Sequence, residues 1–151
     1  MAMMVSLQDF VASGTFGPVI PGCTTAELEA IFGPPEATGG QSRRHRRPSI
    51  WKYGDIQLFF AQPGGLRMVH LDTFVGHGGV PVGWGGLRLE PWCVREGLTL
   101  GEFTAAAGAG QVRPEPQFER VVVTLPSGVE VGFTLDERLF GMWRAWTVEP
   151  E

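Results

Sequence analysis

The stretch Gly22-Cys23-Thr24-Thr25-Ala26-Glu27-Leu28-Glu29-Ala30-Ile31-Phe32-Gly33-Pro34-Pro35 has the parts of a complete short helix, and its pattern occurs twice. Thr24 or Thr25 can cap the first turn, and Glu27 follows Thr24 at the capping-box spacing. Leu28, Ile31 and Phe32 fall on one helical face. Gly33 can take the left-handed conformation that ends a helix, and Pro34 and Pro35 block its continuation. Seventy-five residues later Gly22, Thr24, Glu27, Ala30 and Gly33 recur as Gly97, Thr99, Glu102, Ala105 and Gly108, and Leu28 becomes Phe103. The offset is about half of the 151-residue chain. A helix of about two turns cannot hold itself together in water, so each copy must be pinned by packing. The repeat therefore predicts two halves of one plan, each laying a short helix on an apolar face.

The segments after the two helices fit that plan. Gly39 to Pro48 is a polar, basic loop, after which Ser49–Tyr53, Ile56–Phe60 and Leu66–Phe74 read as antiparallel strands. In the third, period-two alternation predicts Leu66, Met68, His70 and Asp72 on one face and Arg67, Val69, Leu71 and Thr73 on the other. The second helix is succeeded by a loop through Pro114 and Pro116, then by strands at Phe118–Leu125, Val129–Leu135 and Leu139–Val148. Leu87 to Pro91 is a further strand candidate, and Ser6 caps a short helix that ends at Gly14. The expected class is α+β, as two tandem repeats of a short helix followed by an antiparallel three- or four-stranded meander, sharing one core. The expected organisation is an N-terminal helix (1–15), a first helix-plus-sheet repeat (16–75), a Gly-rich connector (76–86) and a second repeat (87–151). Residues 22 to 75 and 97 to 148 should then superpose.

Composition narrows the chemistry. A net charge of -4 gives no general attraction to nucleic acid or anionic membranes, and no apolar run approaches a membrane span. Met1 to Phe10 carries no signal-peptide pattern, so the expected compartment is the cytoplasm, with Cys23 and Cys93 as reduced thiols. The glycine connector is not followed by the Lys-Ser/Thr of a phosphate loop, and neither HExxH, CxxC nor a nucleophile elbow occurs. The expectation is therefore no catalytic, metal or cofactor set. His70 and Asp72 are the exception, a pair on one strand face that could act as base and orienter. Arg43-Arg44-His45-Arg46-Arg47 places four cations in five positions of an acidic protein. Arginine forks suit phosphates or an acidic protein patch. Aromatic residues, among them Trp51, Tyr53, Phe59, Phe60, Phe118, Trp143 and Trp146, crowd the strands. Phe59 is out of phase with Phe60, so some rings must lie off the core face.

The pattern Gly22-x-Thr24-x-x-Glu27-Leu28 … Phe32-Gly33-Pro34-Pro35, then a loop and Trp51-Lys52-Tyr53-Gly54, resembles the unit of small outer-membrane assembly lipoproteins and of the β-lactamase inhibitor protein. The inhibitor carries two such units in tandem. The resemblance covers about residues 16 to 75 best; in the second half Ala109-Gly110 replaces the proline pair and no WxYG follows. Arg43 to Phe60 also resembles small cytosolic bacterial proteins of the immunity type. These resemblances imply a non-enzymatic protein-binding module, an immunity or inhibitor protein that neutralises a toxin or enzyme bearing an acidic patch. Its expected partner-binding residues are Arg43, Arg44, Arg46, Arg47, Trp51 and Tyr53. Two alternatives stand beside it. One is a small-ligand or catalytic protein with a cleft between the halves, using His70 and Asp72. The other is a nucleic-acid accessory protein using the basic loop.

Overall fold

A computed structural model describes residues 2–41, 43, 47–61, 64–72 and 81–146. Strand β1 (Met3–Ser6) leads directly into helix α1 (Leu7–Ser13), where the Ser6 hydroxyl accepts from the Asp9 N–H and Gly14 closes the last turn. Helix α2 (Thr25–Phe32) begins with a complete capping box: Thr24 Oγ1 accepts from Glu27 N at 3.1 Å, and Glu27 Oε1 accepts from Thr24 N at 3.2 Å. Gly33, at φ 79°, ends it. Helix α3 (Leu100–Ala107) has the same box between Thr99 and Glu102, both bonds 3.2 Å, and stops at Gly108, φ 93°. Helix α2 is followed by strands β2 (Ala37–Gly39), β3 (Ile50–Tyr53), β4 (Ile56–Ala61) and β5 (Gly65–Asp72). Strand β6 (Leu87–Glu90) pairs parallel with β1 as a separate ribbon. Helix α3 is followed by β7 (Gln111–Glu115), a 3-10 turn (Pro116–Phe118), β8 (Arg120–Thr124), β9 (Glu130–Thr134) and β10 (Leu139–Ala145).

The eight strands other than β1 and β6 form one antiparallel sheet in the order β2-β3-β4-β5-β10-β9-β8-β7. The last strand before the connector and the last strand of the described chain are hydrogen-bonded neighbours, Leu71 opposite Met142 and His70 opposite Trp143. Three sequence expectations need correction. Gln111–Glu115, predicted as loop because of Pro114, is a strand: it lies at the sheet flank, where a residue without an N–H is tolerated. The alternation predicted for the third strand breaks at its start. Opposite Phe59 and Phe60 of β4, β5 carries one extra residue, Arg67, as a bulge that shifts the register, so buried Leu66 shares the core face with Val69 and Leu71, not with Met68. Phe118 closes the 3-10 turn rather than opening β8. The predicted strand ends at Thr73–Phe74 and Thr147–Val148, most of the Gly76–Gly86 connector and His77 lie outside the described residues.

All three helices of the described chain pack on one face of this sheet. Leu28 and Phe32 of α2 and Phe103 of α3 are fully covered, whereas Ile31, expected inside, is half-buried. Two runs of edge-to-face rings tie helices to strands: Phe10–Phe16–Phe32–Tyr53 on the first side, Trp92–Phe103–Phe133 on the second. A single core cluster spans both sides of the β5–β10 seam. Cys23 is buried and Cys93 half-buried, both as free thiols. Among the described residues no helix is long and apolar enough to cross a membrane.

Candidate interaction face

Alternation along the strands sends every second side chain away from the helices. One cross-strand row on that open face runs across all eight strands: Ala37, Lys52, Gln57, His70, Trp143, Glu130, Thr124 and Gln111. On one side of it lie Ile50, Phe59, Met68 and Ala145; on the other, Asp72, Gly141, Gly132, Val122 and Arg113. None of these residues belongs to the core cluster or is packed against it.

The middle of the face is a ladder of rings and a guanidinium. His70 stacks on Trp143, centroids 5.9 Å apart and planes 14° apart. Phe140 leans against the same indole at 6.4 Å. The Arg120 guanidinium stands 5.4 Å from the Trp143 ring and 5.0 Å from the ring of Phe118, which is 63% exposed. Glu115 accepts from Arg120 Nε at 2.7 Å and from Arg113 Nε at 2.9 Å, and Arg113 reaches Glu130 at 3.1 Å. The hydrogen bonds from Arg120, then Arg113, hold the Glu115 carboxyl below its ordinary range. A Cβ on Gly132 would meet the Phe140 ring at 2.5 Å, so the missing side chain is what lets that ring lie over β9.

No family model, curated protein or solved structure matches this chain.

The face must therefore be judged on its chemistry. His70 Nδ1 is buried without a hydrogen-bond partner, so Asp72 does not orient the imidazole through that nitrogen. Burial holds the His70 pKa below its ordinary value, and the Asp72 charge opposes this more weakly. A neutral ring stacked on an indole is a contact surface; a general base needs a free lone pair aimed at a substrate proton. The β5–β10 pairing sets His70 opposite Trp143 and Asp72 opposite Gly141. Among the described residues no group of His, Cys, Asp and Glu could hold a metal ion.

The sequence-predicted partner residues fall elsewhere. Tyr53 is 0% exposed and its hydroxyl donates to the Gly33 carbonyl at 2.8 Å, which places it in the core rather than at the surface. Burial, and then the nearby Glu29 carboxylate, push that hydroxyl's pKa upward. Trp51 points to the helix side too, is 9% exposed, and packs edge-on against Phe60 at 5.7 Å. Arg43 and Arg47 are exposed; Arg44 and Arg46 lie outside the described residues. Arg47 and Trp51 both line one groove of about 520 Å³ between α2 and the β2–β4 flank. Sequence reasoning missed the ladder on the open face. Its signal was the phase of Trp143 against Met142, adjacent residues that cannot both face a core, together with Gly132 and Gly141 sitting opposite one another.

Proposed function

We propose that this chain is a non-enzymatic protein-binding module that holds a protein partner on the open face of its sheet. The ladder His70–Trp143–Phe140–Arg120–Phe118, half-buried except for the exposed Phe118, carries this reading. Trp and Arg presented together on a rigid sheet are residue types that dominate binding energy at protein interfaces, and the two rotors of each Trp or Phe ring lose little entropy on docking. The flank supplies ion pairs already satisfied within the protein, Arg113 and Arg120 with Glu115 and Glu130, which suits a polar rim around an apolar centre. We read the two helix-and-meander segments, α2 with β2–β5 and α3 with β7–β10, as copies of one unit. The shared capping box and the shared strand count support that reading. The tandem arrangement and the resemblance to the β-lactamase inhibitor protein favour an immunity or inhibitor role, with a toxin or other enzyme as the partner.

The test uses the full chain as bait in its native host's extract, beside the variants Trp143→Ala and Lys52→Ala. Trp143→Ala is expected to lose a specific partner by tenfold or more, at about 2 kcal/mol for a hot-spot ring, while its circular dichroism stays unchanged. Equal recovery of every protein by wild type and Trp143→Ala would remove the open face from the interface.

A further inference from the structure

Phe118 stands at the end of the ladder, where the 3-10 turn closes, and most of its surface meets solvent. Among the described residues its one ring contact is the Arg120 guanidinium, 5.0 Å from the centroid. That contact covers one face of the ring and leaves the other open. Glu119 follows in the left-handed conformation, φ 53°, its N–H donating to the Pro116 carbonyl at 3.1 Å. The Glu119 side chain is exposed and has no ion pair among the described residues. The other charges of this flank are matched. Glu115 accepts from both Arg120 and Arg113, and Arg113 also reaches Glu130. With Glu119 included, two arginines stand against three carboxylates, and the surplus negative charge belongs to the residue next to the exposed ring.

The face of an aromatic ring is the negative part of its quadrupole, so an open ring face beside an unmatched carboxylate attracts a cation. The protein satisfies that preference once within itself, where the Arg120 guanidinium stands between the rings of Phe118 and Trp143. Glu115 neutralises Arg120, so a second guanidinium on the far face of Phe118 meets a compensated charge rather than a bare one. We propose that Phe118 and Glu119 receive an arginine side chain of the protein partner, its guanidinium stacked on the outer face of Phe118 and paired with the Glu119 carboxylate. The assignment takes the open face as the partner-binding surface, on which it rests, and gives the chemistry that the partner presents at the Phe118 end. A planar, weakly hydrated guanidinium can stack and pair at once, which a compact ammonium cannot do as well. A neutral ring would stack on Phe118 but leave Glu119 unmatched.

The experiment is a titration of the full chain, labelled with 15N and 13C, with three blocked tripeptides: Gly-Arg-Gly, the same peptide with citrulline for Arg, and the same with Phe for Arg. The signals followed are the Phe118 ring C–H groups, assigned from Phe118→Leu, and the Glu119 backbone N–H. The Arg peptide is expected to shift both saturably, and less tightly as salt rises. The citrulline peptide, equal in shape and uncharged, should bind about threefold more weakly or worse. Glu119→Gln should weaken the Arg peptide by about threefold and flatten its salt dependence. Phe118→Leu, a change at an exposed ring, should weaken it by about threefold or more with the circular dichroism unchanged. The proposal is overturned if neither signal moves at millimolar Arg peptide, if the citrulline peptide moves them equally, or if the Phe peptide binds more tightly than the Arg peptide. These outcomes leave the partner-binding reading of the open face to the Trp143→Ala capture, so the two can fail separately.

Discussion

Gly132 shows what a single atom decides in this protein. Its absent Cβ is the space into which the Phe140 ring settles, and Phe140 in turn braces Trp143. Gly132→Ala is expected to displace that ring and to cost about 1–3 kcal/mol in denaturant melts, the range for forced overpacking. Unchanged stability would mean that Phe140 moves aside without loss. His70 gives a pH signature on the same face. Burial depresses its folded-state pKa, so below the ordinary value of 6.5 the unfolded chain binds the proton more readily than the folded one. The stability conferred by a neutral His70 is complete above that value and is lost as the pH falls through the folded-state pKa. His70→Gln should therefore flatten the fall in stability between roughly pH 7 and pH 5, as read from melts at both. A slope identical to wild type would place the titration elsewhere. At this scale the sequence is legible where one residue does one job. Thr24, Glu27 and Gly33 take their predicted roles. Tyr53 was ambiguous because an aromatic in a strand reads the same whether its hydroxyl finds water or, as here, the Gly33 carbonyl.

At the scale of elements, the helices were readable because their ends are written in local chemistry. Each capping box satisfies N–H groups that the helix itself leaves open. The carboxyl of Glu102 is held below its ordinary range by the Thr99 backbone bond first, and it also meets Arg95. Thr24→Ala and Thr99→Ala are each expected to cost about 1 kcal/mol in chemical unfolding, the usual loss for a cap. A loss at only one position would show that tertiary packing holds the other helix. The strands were less readable in two places. Strand β2 is three residues long and too short for any periodicity, and β7 carries a proline that argues against a strand unless its place at the flank is known. Bulges are equally silent. Nothing local in Arg67 announces that it is the extra residue opposite Phe59-Phe60, yet that slip decides which way Met68 points.

At the scale of the whole molecule, the seam is what the sequence withheld. A repeat in sequence predicts two units but not which strands join them, because hydrogen bonds between β5 and β10 are made by backbone that any residue supplies. With that seam and one core cluster crossing it, the described protein should unfold as a unit. Tryptophan fluorescence and far-ultraviolet circular dichroism are expected to give one coincident transition in urea. Two separated transitions would mean that the halves are independent and that the seam contributes little.

The order of the strands also limits how such a molecule can grow. The two final strands meet in the middle, which leaves the outermost positions to β2, a stub of three residues, and β7, where Pro114 lacks an N–H. A further strand offered to this sheet would find the central positions taken and both margins unsuited to a new neighbour. The same stub and proline make the sheet a poor template for fibre growth between molecules.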